Sequence, residues 1–163
     1  EIVSELDPFI VVDGAHNPYS ARCLVDAIDL MRKSGMESQG EIILVFGALK
    51  NHDYSGILRE FLRLDPILIP VSSRHPKAAP HIDIANSADE IGILVDEGSR
   101  TGFENLANAM EYALSRTRAK DMVLGTGSLS VAAEIIEWKR KIAPELYPSL
   151  LSDTVVGNDP NNR

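Results

Sequence analysis

Residues 42–46, IILVF, are apolar without interruption, and shorter runs of the same kind stand at 9–12 (FIVV), 67–71 (ILIPV) and 122–124 (MVL). A strand that needs apolar side chains on both faces is one covered by helices on both sides, the situation of a parallel sheet. Helical periodicity fills the intervals. Residues 18–33 carry Ala21, Leu24, Val25, Ile28 and Met31 at three- and four-residue spacings and stop at Ser34-Gly35. Residues 54–63 form a second helical pattern with Leu58, Phe61 and Leu62 facing inward, and 83–91 a weaker one before a short strand at 93–95. The pattern at 101–116 runs through Phe103, Leu106, Ala107, Met110 and Leu114; that at 129–141 sets Val131, Ile135 and Trp138 on one side. Pro70 inside the third run argues for a bulge or a strand end. Residues 1–6, EIVSEL, read as an edge strand ending at Asp7-Pro8. Strands alternating with helices in this way imply βαβ units: a three-layer α/β/α, Rossmann-like architecture around a mainly parallel sheet. Right-handed crossovers then put the strand-to-helix turns on one edge.

A chain of 163 residues suits one domain with a real core, here residues 1–143, followed by a polar stretch, 144–163, expected to be a flexible tail. The chain opens on Glu1 and not on Met, which suggests a piece of something longer. A formal net charge of -8 argues against a nucleic-acid surface, which leans on clustered Lys and Arg. No run approaches the roughly 18 apolar residues of a membrane span, so no membrane partner is expected. The single cysteine, Cys23, can form no internal disulfide, which fits the cytoplasm, and is expected to be a small buried residue. Nothing calls for an oligomer, and a monomer is expected.

Three turns on the expected edge carry polar chemistry. In DGAHNP, Asp13 and His16 stand three residues apart on a glycine-containing turn, with Asn17 as N-cap and Pro18 at the first helical position. The carboxylate can accept from ribose hydroxyls and the imidazole can donate to phosphate or carboxylate; capping alone also explains such a turn. Gly125–Ser128 resembles an anion cradle, with two glycines for close backbone approach and Ser128 at the N-cap, although Ser130 stands where a dinucleotide fingerprint has its third glycine. Gly47–Asp53 offers Lys50, His52 and Asp53. Arg74, His75 and Lys77 form the one local basic cluster of an acidic chain and are available to an anion if their loop lies on that edge. His16, His52, His75 and His81 are scattered along the chain and no metal site is expected. No GxxxxGKS or GxxxxGKT phosphate loop occurs, so the usual grip on a triphosphate is missing.

VVDGAHNPYSA resembles the opening signature of the C-terminal domain of the folylpolyglutamate synthase/dihydrofolate synthase family in the Mur ligase superfamily. VFGALKNHD, SSRHPKAAP and VLGTGSLSVAAEI are similar to that family's later motifs, in the same order, and the likeness covers about residues 1–142. It implies a six-stranded, mostly parallel sheet with the first strand antiparallel. It also implies an ATP-dependent ligase that activates a folate carboxylate as an acyl phosphate and joins L-glutamate to it. The phosphate loop and most of the Mg2+ ligands would belong to an N-terminal domain of the same polypeptide, and the fragment alone would be inactive. By this resemblance Asp13 and His16 are catalytic and, with Asn17, bind ATP, Asp13 at the ribose and His16 at the phosphates or glutamate. Ser128, His52, Arg74 and Lys77 would lie on the glutamate side. Where many relatives have Asp-Lys-Asp, this chain has Asn51, His52 and Asp53, and Lys77 replaces the usual arginine fork with a point charge. The alternatives are a cell-wall amino-acid ligase of the same superfamily and a free-standing nucleotide-binding or regulatory domain.

Overall fold

The computed structural model describes residues 1–4, 8–35 and 39–143. The strands are β1 (Ile2–Ser4), β2 (Phe9–Val12), β3 (Ile42–Phe46), β4 (Ile67–Pro70), β5 (Leu94–Val95) and β6 (Met122–Thr126). The helices are α1 (Pro18–Lys33), α2 (Tyr54–Phe61), α3 (His81–Ile91), α4 (Leu106–Arg116) and α5 (Leu129–Arg140). The six strands order as β1-β2-β6-β3-β4-β5, with β1 antiparallel to β2 and every other pair parallel.

The apolar runs are uninterrupted because successive side chains serve opposite layers. Ile42, Leu44 and Phe46 pack with Val25 and Ile28 of α1, Ile57 and Leu58 of α2 and Ile84 of α3. Ile43 and Val45 pack with Met110 of α4 and Val131 and Ile135 of α5 on the other face. Both faces of β3 are thus buried, as the expected three-layer arrangement requires. Pro70 is the last residue of β4, level with Phe46, and the ladder closes beyond it through Val71 N–H donating to the Phe46 carbonyl.

Four local expectations need correction. Leu62 does not face inward: α2 tightens into a 3-10 turn over Leu62–Leu64, leaving Leu62 41% exposed while Leu64 is 7% exposed. In a 3-10 turn residues three apart eclipse, so Leu64 follows Phe61 into the core. α4 begins at Leu106 and not at 101, because Asn105 caps it through Asn108 N–H and Gly102 turns the chain beforehand; Phe103 packs on Tyr112 from outside the helix. α3 begins two residues earlier than its apolar pattern, directly after Pro80. Cys23 is exposed, since the buried stripe of α1 is Ala21, Val25 and Ile28 and position 23 falls on the opposite side of a 3.6-residue helix. The end of the first strand at Asp7 and the tail at 144–163 lie outside the described residues. No helix among the described residues is long and apolar enough to cross a membrane.

Candidate functional site

β6 lies between β2 and β3, so the loops leaving the carboxyl ends of these strands are immediate neighbours. Backbone hydrogen bonds join them. Asp13 N–H donates to the Gly125 carbonyl at 3.0 Å, Gly127 N–H to Ala15 at 3.1 Å and Gly47 N–H to Thr126 at 3.2 Å. The next loop, after β4, is tied on by Lys50 N–H to the Lys77 carbonyl at 2.9 Å and Ala79 N–H to Ala48 at 2.8 Å. Gly127 makes this closeness feasible. Its φ is +105°, and a Cβ there would stand 2.6 Å from the Gly47 carbonyl oxygen.

Local sequence sets the first loop. The Asn17 side chain accepts from Ser20 N–H at 2.9 Å, and Ser20 Oγ accepts from the N–H groups of Asn17 at 3.2 Å and His16 at 3.1 Å, a complete capping box. Asp13 Oδ1 accepts from Ala15 N–H at 2.8 Å, which holds its carboxylate over the turn. His16 Nδ1 lies 3.1 Å from the Gly14 carbonyl oxygen. A carbonyl only accepts, so Nδ1 carries the hydrogen and Nε2 is left as the outward nitrogen.

Between the loops lies a cleft of about 330 Å³ lined by His16, Leu49, His52, His75, Ser128, Leu129 and Ser130. The rings of His16 and His52 are 5.6 Å apart, centre to centre, and tilted by 40°. Burial first, and the neighbouring His16 second, hold His52 below the usual histidine pKa, with the hydrogen-bonded Gly127 backbone pulling the other way. His52 Nδ1 is buried and meets no hydrogen-bond partner among the described residues. The His75 ring accepts from Lys77 N–H at 3.1 Å. Ser128 is 2% exposed: its Oγ caps α5 through Val131 N–H at 3.2 Å and meets Ser130 Oγ at 3.0 Å, which in turn meets Ser73 Oγ at 3.0 Å.

Of the residues expected at this edge, His16, His52 and Ser128 line the cleft, while Asp13 and Asn17 hold the turn that carries His16. Lys77 lies exposed in the loop that lines the cleft, and meets no ion-pair partner among the described residues. Arg74 parts from it: its guanidinium meets Glu137 at 2.7 Å and Glu134 at 3.9 Å, and its N–H donates to Glu134 Oε1 at 2.7 Å, all on α5. Burial raises the Glu134 carboxyl above its ordinary value, opposed by Arg74. The basic cluster is therefore divided. Three of the four histidines that are scattered in the sequence share one cleft; His75 joins it from the basic cluster, and Leu49, Leu129 and Ser130 line it without a signal of their own. Leu129 is 71% exposed and reaches over Gly14, where a Cβ would be 2.4 Å from its Cδ2.

The cleft is at the small end for a ligand pocket. Its imidazoles, serine hydroxyls and the amino end of α5 suit one anionic group with part of a sugar or amino acid, not a whole nucleotide. Among the described residues no group of three or more His, Cys, Asp or Glu stands ready to hold a metal ion, so Mg2+ does not fit the donors present.

Residues 1–129 match the family described as Mur ligase, glutamate ligase domain. The chain is 27% identical over 137 residues to the dihydrofolate synthase/folylpolyglutamate synthase of Escherichia coli (strain K12), covering 84% of this chain and 29% of that protein. A solved structure of the E. coli enzyme in complex with DHPP and ADP superposes with a TM-score of 0.68 at 26% identity, over 84% of this chain and 30% of the other. The Mycobacterium tuberculosis folylpolyglutamate synthase complexed with ADP and AMPPCP shares the fold at 18% identity and a TM-score of 0.67, over 89% of this chain and 32% of that one. The chain thus spans about three tenths of the length of these relatives. With the sheet order, the strand-end cleft and the family match in agreement, this chain belongs to the Mur ligase family through its glutamate ligase domain.

Proposed function

We propose that this chain is the C-terminal part of an ATP-dependent ligase that adds L-glutamate to a folate, either extending tetrahydrofolate or converting dihydropteroate. The observation that carries the reading is the convergence of the loops that follow β2, β3 and β6 on one cleft, in a chain whose relative of 27% identity is a dihydrofolate synthase/folylpolyglutamate synthase. The E. coli relative solved in complex with DHPP and ADP supports a nucleotide among the ligands of the complete protein.

In this reading ATP activates the folate carboxylate as an acyl phosphate, and the glutamate amine displaces phosphate. The residues of this chain contribute position and charge. Asp13, pinned by Ala15 N–H, accepts from a ribose hydroxyl. His16, pinned by Gly14, presents Nε2 to a phosphate or carboxylate oxygen. Asn17 fixes the turn that aims both. Ser128, His52 and Lys77 face the glutamate side, and Arg74 acts by holding its loop to α5. The phosphate loop and the Mg2+ ligands come from an N-terminal domain of the same polypeptide, and this chain alone does not turn over. The lone thiol of Cys23 suits a reducing, cytoplasmic setting.

The test expresses the complete coding sequence and measures glutamate-dependent ADP release with tetrahydrofolate and with dihydropteroate, alongside a muramyl precursor. Release with either folate supports the proposal. Release with the muramyl substrate alone, or with none, overturns it.

A further inference from the structure

His16 and His52 reach the cleft from different strands, and their nitrogens are differently committed. His16 holds Gly14 through Nδ1 and keeps Nε2 outward, while His52 has the Gly127 backbone beside its ring and a buried Nδ1 that meets no partner among the described residues. His75 stands on a further side of the same cleft. Among the described residues no carboxylate lines it. The nearest in sequence are turned elsewhere: Asp13 to Ala15 N–H, and Asp53 to Gly56 N–H at the amino end of α2. α5 contributes Ser128, Leu129 and Ser130, all uncharged, and the rim lysines Lys50 and Lys77 are exposed.

At 5.6 Å between ring centres the His16 imidazole opposes protonation of His52 in the empty cleft. An anionic oxygen placed between them reverses that balance, because each imidazolium then gains a charge-assisted hydrogen bond. We propose that the His16–His52 pair is a proton-coupled receptor for a phosphate or carboxylate oxygen: the cleft takes up protons as the anion binds and returns them as it leaves. The inference rests on the ligand reading of this cleft given above and adds how occupancy is controlled. The burial that keeps His52 neutral in the empty protein makes its proton uptake on binding larger. Binding that carries one proton weakens about tenfold per pH unit once the pH exceeds the free ring's pKa.

The experiment is calorimetric titration of the full chain with sulfate, whose own charge is constant between about pH 6 and 8, in buffers of different ionisation enthalpy. Histidine Cε1–H NMR titrations follow in the presence of sulfate, ADP or L-glutamate. The expected result is uptake of one or more protons per sulfate near neutrality and an upward pKa shift of both rings on binding. His16→Gln and His52→Gln each remove part of that uptake. A shift with ADP but not glutamate assigns the anion to the nucleotide, and the reverse assigns it to the amino acid; both support the receptor. Binding without proton uptake, uptake unchanged in both variants, or no binding of any probe across this range overturns it. The NMR shifts of the unmodified chain decide the matter even if a variant fails to fold. Folate-dependent ADP release without proton uptake removes the receptor alone. Proton uptake without release in the complete enzyme removes the ligase reading and leaves the receptor.

Discussion

Gly127→Ala tests whether the cleft exists because three strand-end loops are pressed together. Two costs follow from the structure. Gly127 has φ +105°, outside the range that L-residues occupy comfortably, which costs about 1–3 kcal/mol for a side chain held there. The new methyl would also sit 2.6 Å from the Gly47 carbonyl oxygen and 2.7 Å from Cε2 of Phe46. Neither can retreat cheaply: Gly47 N–H is bonded to Thr126, and Phe46 is fully buried against Phe61. Overpacking of this kind adds about 1–3 kcal/mol, for a total near 4 kcal/mol. In a chain of this size each kcal/mol lowers Tm by about 2–4 °C, so the expected loss is about 8–16 °C. Gly35→Ala is the matched control, since its φ is +94° but nothing among the described residues lies within 4 Å of the added Cβ. It carries the backbone cost alone, about 1–3 kcal/mol. Thermal unfolding by circular dichroism of both variants separates the two contributions. If Gly127→Ala loses no more than Gly35→Ala, the loops are not packed as described and the cleft's rigidity has no basis.

Three further outcomes are expected. His16→Ala in the complete enzyme lowers glutamate-dependent ADP release by about a hundredfold or more while Tm stays within about 2 °C, because the ring is exposed and outside the core; a large parallel fall in Tm would return His16 to a structural role. Asn17→Ala removes the acceptor of Ser20 N–H and half of the capping box, costing about 1 kcal/mol, which a urea unfolding midpoint reads directly. For His52, the folded pKa lies below the unfolded value near 6.5. Above that value both states are neutral and its contribution to stability is complete. As the pH falls below it the unfolded chain takes the proton first, and stability drops until the folded ring also titrates. The urea midpoint should therefore fall between about pH 7 and 5, and His52→Asn should flatten that slope; an unchanged slope would show that burial does not hold His52 neutral.

Local periodicity was legible in the residues themselves. IILVF must bury both faces, and β3 does so between two helical layers. Asn17-Pro18 reads as a helix start and is one, because a cap depends on groups only three residues away. Local reading failed where the helix pattern changed pitch or where apolar residues kept helical spacing without helical backbone. Leu62 rotates out when α2 tightens, and Phe103 packs from a turn before α4. The cleft itself could not be read this way. His16, His52 and His75 are far apart in the chain and become neighbours because β6 returns between β2 and β3 and brings Gly127 against Ala15 and Gly47. Arg74 and His75 are adjacent in the chain, yet Glu134 and Glu137 draw one to α5 while the other lines the cleft. Hydrophobic period and capping act within a turn or two of chain and so choose the elements. Strand order and the side chains that meet across it are settled only when layers pack, and at this edge that packing decides which histidines share a cleft.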